Sequence, residues 1–429
     1  MNSLADPLCK NKLRFLFVSS DKFPPFRVDV AVLFGRKLAE RGHRIDWILQ
    51  SDDPLDRGIR VRWSGGDVRV GPTDNRPTPV CKVLRRIYDI INDLNMFVMM
   101  KRRRYDFILI RDKFISALTG LLAAKLFNVP CVYWLSYPFP EDLLYQAEEG
   151  LARHPGQFRL RGHILKFLLY HIILPQADHI FVQTEHMQND IARHGISMEK
   201  MTPVPMGVPI REIPFFGYPA APRDREKIVL YLGTLIRGRK LEFLIRVFEK
   251  VLKEEKNARL YLVGGGDDDS DEKRLRDAAC RLGIGTSVVV TGFLPQQDAW
   301  NFVRHADVCV SPIYPAPVLS CSSPTKLIEY MAMGKAVVAN DIPEQRRAIE
   351  ESGGGICVAW DEKAFAGAIL RLIRHPETAR EMGSRGRAYV AEKKNYDRIA
   401  DAVEDRLLTV CNDRGDKKTW PFNPEKNSV

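Results

Sequence analysis

The chain has 429 residues, of which 45% are apolar and 28% are charged. A chain of this length and composition can bury two ordinary hydrophobic cores, which predicts two domains of about 200 residues each. The longest apolar run, residues 164–174, is interrupted by Lys166 and His171 and is too short to cross a bilayer. The first ten residues lack the basic and apolar regions of a signal peptide, so we expect a cytoplasmic protein.

The net charge of +11 is unevenly distributed along the chain. Residues 1–210 hold 30 Lys and Arg against 22 Asp and Glu, whereas residues 211–429 hold 35 against 32. Basic segments beside apolar helical faces favour an anionic membrane surface, a lipid diphosphate or nucleic acid as partner, and a solvated helix face is the alternative. Because no aromatic residues are interleaved in a nucleic-acid-binding pattern, we predict no nucleic-acid partner.

Eight cysteines lie far apart, without a C-x-x-C spacing, and nine histidines show no metal-ligand pair. Cysteines such as Cys309 sit inside apolar strand patterns, which is typical of small buried side chains in a reducing compartment. We therefore predict neither a disulfide framework nor a protein-bound metal.

Apolar runs and helical periodicities alternate along the first half of the chain. This alternation predicts a mostly parallel sheet covered by helices, with ligands at the carboxyl ends of its strands. Residues 51–80 are rich in Asp, Gly and Pro and predict irregular or edge structure. The predicted strands are 13–19, 44–49, 106–111, 130–135 and 180–184, and the predicted helices are 30–41, 81–104, 116–127 and 157–174.

The second half repeats the pattern after a cluster of prolines and glycines at residues 203–223. It predicts a second doubly wound α/β domain, followed by an amphipathic helix and a polar tail that we expect to be disordered. Its predicted strands are 228–234, 260–266, 288–293, 306–310 and 336–339, with a helix at 241–252. The predicted boundaries are 12–210 for the first domain, 211–225 for the linker, 226–395 for the second domain, 396–411 for the last helix and 412–429 for the tail.

Residues 320–341 combine a helix start with a following buried strand. Ser322, Ser323 and Thr325 are N-cap residue types around a proline, and residues 326–333 predict a helix with Leu327, Tyr330 and Met331 on its buried side. The free N–H groups of its first turn predict an anion site.

Two charged residues add chemistry to this helix. Lys326 lies in the first turn, where its flexible side chain brings a mobile positive charge to the anion site. Glu329 lies one turn further on, and its carboxylate can accept two hydrogen bonds from a vicinal diol such as a ribose. The segment therefore predicts a site for a sugar nucleotide.

This segment resembles the donor-binding signature of retaining glycosyltransferases with the GT-B fold, in the large family four (glycosyl transferases group 1). The usual signature has two glutamates separated by seven residues and then Met-Ala-x-Gly-x-Pro-Val-Val. Glu329 matches the second glutamate, whereas Cys321 stands where the first is usual. The chain is similar to a variant with Ser-Pro-x-Lys-x-x-Glu-Tyr-Met-Ala that also lacks the first glutamate.

The resemblance assigns roles to further residues of the second domain. Residues 233–244 resemble the family's Gly-Arg-Leu-x-x-x-Lys-Gly segment, in which Arg239 matches the lysine, Thr234 replaces the arginine and Arg237 is close enough to supply the missing charge. The resemblance implies that Arg239, Lys326 and Glu329 are catalytic. It implies that the donor is bound by Gly233, Arg237, Gly264, Gly265, Gly292, Phe293, Ser323 and Thr325.

The first domain departs from the family pattern in two loops. Residues 26–29, Phe-Arg-Val-Asp, stand where many members place a Gly-Gly against the donor phosphates. The loop 136–142 lacks the usual histidine, and Glu141 or Asp142 is the nearest polar substitute. The resemblance still implies the GT-B architecture, with two Rossmann-like domains facing across a cleft and a last helix that crosses back to the first domain.

The implied function is a retaining, metal-independent hexosyltransferase. It would move a sugar from a nucleoside-diphosphate sugar to a hydroxyl acceptor in surface polysaccharide or lipid-linked glycan biosynthesis, with no cofactor beyond the donor. Two alternatives remain open: a non-catalytic sugar-nucleotide-binding protein, which the missing glutamate and histidine favour, and a nucleotide-sugar epimerase, which does not explain the helix at 326–333.

A polyprenol diphosphate is one candidate acceptor, which requires peripheral contact with the inner face of a membrane. Apolar helical faces at 84–100 and 158–174 support this hypothesis. On the second of them the predicted membrane stripe, flanked by basic residues, consists of Phe158, Leu165, Leu168, Leu169 and Ile172. The alternative is that the stripe faces the core of its own domain.

Overall fold

The computed structural model describes residues 12–51, 58–73, 76, 78–217 and 225–415. The chain divides into two compact units, Met1–Pro205 with Ile399–Val429, and Met206–Arg398. The second unit thus begins before the predicted linker. The backbone N–H groups of Phe216 and Gly217 donate to the Met333 carbonyl oxygen at 2.9 and 3.1 Å, which ties the described part of that segment to the second unit.

The first unit is built on an eight-stranded sheet in the order β3-β4-β2-β1-β5-β6-β7-β8. All neighbouring strands are parallel except β3 and β4, which form an antiparallel pair at the edge, inside the segment predicted as irregular or edge structure. The strands are β1 Arg14–Lys22, β2 Arg44–Gln50, β3 Ile59–Trp63, β4 Gly66–Val70, β5 Phe107–Arg111, β6 Cys131–Leu135, β7 His179–Val182 and β8 Met201–Pro203.

The helices of the first unit differ from prediction in three places, one of which is Glu185–Ala192, a helix that was not predicted. The predicted helix 81–104 is interrupted at Leu94, and the predicted loop 136–142 gives way to a helix from Phe139. Pro140 together with Glu141 and Asp142 in the first turn favours that helix start. The helices are Asp29–Leu38, Pro79–Asp93, Asn95–Arg102, Phe114–Phe127, Phe139–Glu148, Pro155–Phe167 continued by Leu168–Ile173 and Leu174–Gln176, Glu185–Ala192 and the short turn Met198–Lys200.

Aromatic side chains fill the core on one face of the central strands, since Phe15 and Phe17 lie two residues apart on β1. Phe15 stacks on Phe107 with ring centroids 4.4 Å apart, and Phe17 stacks on Trp47 at 4.8 Å. These side chains are fully buried, as the continuous apolar runs of parallel strands require.

The second unit contains six parallel strands in the order β11-β10-β9-β12-β13-β14. Five of them were predicted. The edge strand β14 was missed because it is short and begins at the last of three consecutive glycines, so its apolar pattern is weak. The strands are β9 Lys227–Leu232, β10 Ala258–Val263, β11 Val288–Val290, β12 Val308–Ser311, β13 Val337–Asn340 and β14 Gly355–Val358.

Helices cover both faces of this sheet. The acidic residues 267–271, predicted as an exposed loop, include the start of a helix, because the Asp268 side chain accepts a hydrogen bond from the Ser270 N–H and the helix begins at Asp269. The helices and short turns are Arg237–Arg239, Glu242–Glu254, Asp269–Arg281, Gly285–Ser287, Gln296–His305, Pro317–Leu319, Thr325–Ala332, Pro343–Ser352, Glu362–Arg374 and Pro376–Lys393.

The last helix, Tyr396–Gly415, leaves the second unit, and from Ile399 it belongs to the first. Its buried Glu404 accepts a hydrogen bond from Arg41 at 2.6 Å and lies 2.9 Å from a ring nitrogen of His43. The helix extends beyond its predicted end at residue 411, so the predicted tail begins too early; residues 416–429 lie outside the described part of the chain.

Two predictions from composition concern the whole chain. None of the described helices is long and apolar enough to cross a membrane. Among the described cysteines none forms a disulfide, and Cys280 is exposed although we expected buried cysteines. The buried ones are Cys81, Cys131, Cys309 and Cys321.

Candidate functional site

The predicted site residues of the second unit lie after the carboxyl ends of its strands. The chain order of the sheet reverses between β9 and β12, so this is the point where open parallel sheets leave a crevice for a ligand. Gly233 follows β9, Gly264 and Gly265 follow β10, and Gly292 and Phe293 follow β11. The helix with Lys326 and Glu329 follows β12.

Three glycines bring the strand ends into backbone contact. A Cβ atom added to Gly264 would lie 2.1 Å from the Gly233 carbonyl oxygen, and Gly264 has a φ of +136° that side chains rarely adopt. Gly264 also forms an isolated antiparallel bridge with Gly292, whose φ is +77°. We call Gly233, Gly264 and Gly292 the glycine edge; it exposes main chain where side chains would otherwise stand.

Two neighbours continue this edge. The Gly265 carbonyl oxygen accepts a hydrogen bond from the Leu235 N–H at 2.9 Å, and a Cβ atom on Gly265 would lie 3.2 Å from the Cβ of Phe293. The Phe293 ring itself is 83% exposed. A large aromatic face is therefore open to a flat ligand beside the glycine edge.

Lys326 lies across the glycine edge. Its Cδ and Nζ atoms are 3.0 and 3.2 Å from the position of a Cβ atom on Gly233, and Nζ lies 5.4 Å from the centroid of the Tyr231 ring. Desolvation of the ammonium group, followed by repulsion from Arg239, lowers the pKa of Lys326 to about 7. The side chain predicted to be mobile is therefore packed against a glycine and a tyrosine.

Glu329 lies on the same helix and is half-buried. Desolvation raises the pKa of Glu329 to about 7, against the opposing attraction of Lys326. Within the described part of the chain, no hydrogen-bond donor reaches its carboxylate. A half-buried carboxylate without a donor is poorly solvated, and a ligand with hydroxyl groups would satisfy it.

The two arginines of the turn Arg237–Arg239 are placed differently. Arg239 is half-buried and directs its Nε to the Thr234 hydroxyl at 3.4 Å, and its charge acts on Lys326. Arg237 is exposed and does not contribute to the pKa shift of Lys326. The structure thus brings together Arg239, Lys326 and Glu329, whereas Arg237 stands apart on the surface of the turn.

The predicted capping of the Lys326 helix is wrong. The helix is Thr325–Ala332, it is preceded by Pro324, and no side chain caps its start. The Ser323 hydroxyl instead accepts a hydrogen bond from the Met206 N–H at 3.0 Å, because the chain entering the second unit passes beside it. Ser323 therefore holds the start of the second unit, and Thr325 opens the helix without a capping bond.

Buried hydrogen bonds that the sequence did not reveal fix this site. The Tyr330 hydroxyl accepts from the Leu232 N–H at 2.7 Å, which ties the end of β9 to the Lys326 helix. The Asn340 side chain accepts from the Ile313 N–H at 2.7 Å and donates to the Ile313 carbonyl oxygen at 2.8 Å. Tyrosine and asparagine inside otherwise apolar segments were the available signals.

The first unit also carries charges at its switch point, between β1 and β5. Buried Arg111 donates to Asp21 at 2.9 Å and to Asp29 at 2.8 Å, and its guanidinium lies 4.8 Å from the centroid of a Trp134 ring. Asp112 accepts hydrogen bonds from the Ser136 N–H and hydroxyl, and burial raises the pKa of Asp112. An arginine at the end of an apolar strand, followed directly by an aspartate, was the missed signal.

The polar residues proposed as substitutes for the family's histidine have protein partners. The Asp142 carboxylate accepts from the Gln146 side chain at 2.7 Å, and Glu141 lies 3.7 Å from the Lys166 ammonium group. Both stand in the first turn of the helix Phe139–Glu148. Ser136, bound to Asp112, is the polar residue that follows β6 directly.

Comparison with known proteins assigns each unit to a family. Residues 30–207 match the family described as "Glycosyl transferase 4-like domain", and residues 226–375 match "Glycosyl transferases group 1". The fold is that of the GT-B class, and both matching families are families of glycosyltransferase domains. Within that class the chain combines a 4-like first domain with a group 1 second domain.

Curated relatives match part of the chain. An α-monoglucosyldiacylglycerol synthase of Streptococcus pneumoniae is 23% identical over 65% of this chain and 61% of its own length. A phosphatidyl-myo-inositol mannosyltransferase of Mycolicibacterium smegmatis is 31% identical over 37% of this chain and 38% of its own. A Methanocaldococcus jannaschii glycosyltransferase is 28% identical over 42% of this chain. The chain thus spans between about two fifths and three fifths of the lengths of these relatives.

Solved structures share the architecture across nearly the whole chain. Sucrose-phosphate synthase from Thermosynechococcus elongatus superposes with a TM-score of 0.69 at 20% identity, covering 94% of this chain and all of that one. Anabaena HepE in complex with UDP gives a TM-score of 0.64 at 16% identity, covering 92% of this chain and all of that one. At these identities the similarity establishes the GT-B fold.

The glycine edge makes a stability prediction. We expect Gly264→Ala to destabilise the second unit by more than about 2 kcal/mol, because the new methyl group meets the Gly233 carbonyl oxygen and the φ is unfavourable. Gly367→Ala is the matched control. Gly367 lies inside the helix Glu362–Arg374 with nothing within 4 Å of an added Cβ, so we expect a gain of about 0.5–1 kcal/mol. Urea unfolding measures both, and equal effects would contradict the close contact.

Proposed function

We propose that the protein transfers a sugar from a nucleoside-diphosphate sugar to a hydroxyl group of a lipid or saccharide acceptor, with retention of configuration and with fixed cations in place of a metal. The observation that carries the proposal is the convergence of Lys326, Arg239 and Glu329 at the glycine edge. The pKa of Lys326 and that of Glu329 are both shifted by burial, and shifted pKa values are characteristic of binding sites.

The diphosphate of the donor would lie against Arg239 and Lys326. A guanidinium can hold two phosphate oxygens at once, and the Lys326 ammonium group adds a second positive charge beside the glycine edge. Desolvation, and then repulsion from Arg239, disfavours the protonated form of Lys326 in the free protein. A bound diphosphate would reverse that balance and restore the proton, so the lysine responds to the charge of the ligand.

The ribose of the donor would lie at Glu329. Its carboxylate has no donor among the described protein groups, and a vicinal diol supplies two. The exposed ring of Phe293 would face the base, and the main chain around Gly292 would contact the edge of the base. Contacts of this kind hold a nucleotide without selecting a particular base.

The proposed reaction breaks the bond between the anomeric carbon and the diphosphate oxygen. A bond from the acceptor oxygen to the same face of that carbon forms, and the acceptor proton passes to the departing phosphate oxygen. Arg239 and Lys326 stabilise the charge that develops on the diphosphate, while the glycine edge keeps the donor in position. No protein nucleophile is needed for this step.

An exposed apolar stripe in the first unit supports a lipid-linked acceptor. Six large aliphatic side chains spaced three or four residues apart along the helices Pro79–Asp93 and Asn95–Arg102 are 40% to 67% exposed, beside Lys82, Arg85 and Arg86. We call them the aliphatic stripe, and its layout suits a helix lying on an anionic bilayer. Its members are Val80, Val83, Ile87, Ile91, Leu94 and Val98.

The stripe predicted on residues 158–174 faces its own domain instead. Leu169 is fully buried and the other predicted members are half-buried, as the core alternative required. Leu160, Ile164 and Phe167 form the exposed apolar face of that helix. Names of relatives that refer to diacylglycerol and phosphatidylinositol agree with a lipid acceptor for the proposed reaction.

The proposed donor site predicts nucleotide binding without a metal. Calorimetric titration with UDP and with GDP in EDTA should detect binding of at least one of them, and binding of neither would contradict the proposal. Glu329→Gln should weaken that binding by about 1.5–3 kcal/mol, because a charged acceptor is lost. Cys321→Ala is the control and should leave the affinity almost unchanged, since Cys321 only occupies the position of the family's first glutamate.

The lowered pKa of Lys326 predicts that nucleotide binding is coupled to the uptake of a proton. Above both site pKa values, at about pH 8.5, Lys326 is mostly neutral and Glu329 mostly ionised. Binding of a diphosphate should then be accompanied by uptake of close to one proton, measured by calorimetry in two buffers with different ionisation enthalpies. Lys326→Arg should remove the uptake because a guanidinium stays charged. Equal uptake in both proteins would assign the proton elsewhere.

The aliphatic stripe predicts salt-sensitive binding to anionic vesicles and not to neutral ones. Ile87→Gln combined with Ile91→Gln should reduce the affinity at least about tenfold, because two exposed apolar side chains lose their contact with the acyl region. Leu282→Gln is the control, since Leu282 is comparably exposed but lies in the second unit. Co-sedimentation measures all three, and absence of the unmodified protein from the anionic pellet at low salt would favour a soluble acceptor.

A further inference from the structure

A pocket of about 320 Å³ lies at the edge of the first unit, between the β3–β4 hairpin and the end of the helix Asn95–Arg102. Its charged lining consists of five arginines and one aspartate: Arg60, Arg62, Asp67, Arg69, Arg102 and Arg103. This pocket is formed by residues of the first unit alone, whereas the residues assigned to the donor belong to the second unit. We call it the arginine pocket.

Two of these arginines have acidic partners. Arg62 lies 3.6 Å from Asp67, its neighbour across the hairpin, and Arg103 pairs with both Asp67 and Asp46. Those pairs use the one carboxylate in the lining of the pocket. Arg62 and Arg103 therefore complete a local network within the protein.

The other three arginines have no carboxylate partner in the described part of the chain. Arg60 and Arg69 are directly opposite each other on β3 and β4, an arrangement in which like charges destabilise a hairpin. Arg69 donates to the Asn95 side chain, which is neutral. Among the described residues, no carboxylate lies within ion-pair distance of Arg60, Arg69 or Arg102. Burial, and then repulsion from Arg60 and Arg102, lowers the pKa of Arg69.

We propose that the arginine pocket binds a phosphate ester or diphosphate group through Arg60, Arg69 and Arg102. Guanidinium groups bind phosphate oxygens in pairs, and a polyvalent anion would turn the repulsion among the three arginines into attraction. The pocket is large enough for a phosphate with an attached organic group. This site is independent of sugar transfer at the glycine edge.

The position of the pocket relates it to the aliphatic stripe. Val98, the last member of the stripe, precedes Arg102 by four residues, so the two side chains project from the same face of one helix. A phosphate at the arginine pocket could therefore belong to a lipid headgroup or to a free molecule. The chemistry recognised is the same, and the experiment below separates the two sources.

The test measures hydrogen exchange of residues 59–70 with inorganic diphosphate as the probe. We expect exchange of this hairpin to slow by about threefold or more in the unmodified protein. The variant with Arg60→Gln and Arg102→Gln should lose the effect. A control with Arg153→Gln and Arg193→Gln, which removes the same charge elsewhere in the first unit, should keep it. Readout on the hairpin distinguishes this site from the donor site.

The thermal stability of the variant with Arg60→Gln and Arg102→Gln shows whether the variant is folded. Removing Arg60 and Arg102 relieves repulsion, so the melting temperature without diphosphate should be unchanged or higher. No slowing in the unmodified protein, or equal slowing in the double variant, would overturn the proposal. Vesicles containing phosphatidic acid, compared with phosphatidylglycerol vesicles of equal charge, identify the source: protection of the hairpin by the former alone assigns a lipid phosphomonoester, and protection by soluble diphosphate alone assigns a free ligand.

Discussion

The candidate site depends on a backbone contact that leaves no room for a side chain. The carbonyl group of Gly233 fills the space that a Cβ atom on Gly264 would need, and Gly264 pairs with Gly292 in turn. This contact aligns the ends of β9, β10 and β11. The hydrogen bond from the Leu232 N–H to the Tyr330 hydroxyl connects the end of β9 to the Lys326 helix. Lys326 can lie flat because the residue beneath it is a glycine. The position of Lys326 over Gly233 follows from that packing.

Sequence patterns predicted most strands because parallel strands buried on both faces read as continuous apolar runs. Sequence patterns gave the wrong structure where the same residue types occur in two different local structures. Ser323 has the composition of a helix cap, but the N–H of Met206 lies within reach and takes its hydroxyl. Residues 136–142 contain four residues typical of turns, yet proline and acidic residues also begin helices, and a helix starts at Phe139. Only tertiary neighbours decide between such outcomes.

Side-chain direction was harder to predict than secondary structure. The helix over residues 158–174 was located correctly, but its apolar residues occupy more than one face, and the sequence does not say which face meets the core. At the candidate site, the motif pointed to Lys326, Glu329 and Arg239, whereas Tyr330 and Asn340 have no charge or motif position that distinguishes them. Their role is visible only when the bonds to Leu232 and Ile313 are seen.

The charged clusters of this chain differ in whether neighbouring protein groups of opposite charge compensate them. Arg111 is buried and holds two aspartates at hydrogen-bond distance, so the protein itself compensates its charge. Lys326 is pushed towards neutrality by its surroundings, and Arg60 faces Arg69 across a hairpin. An unfavourable charge arrangement lowers the stability of the free protein, and a ligand that neutralises it recovers that energy as affinity. Incomplete compensation therefore separates the two clusters that we assign to ligands from the one that holds the fold.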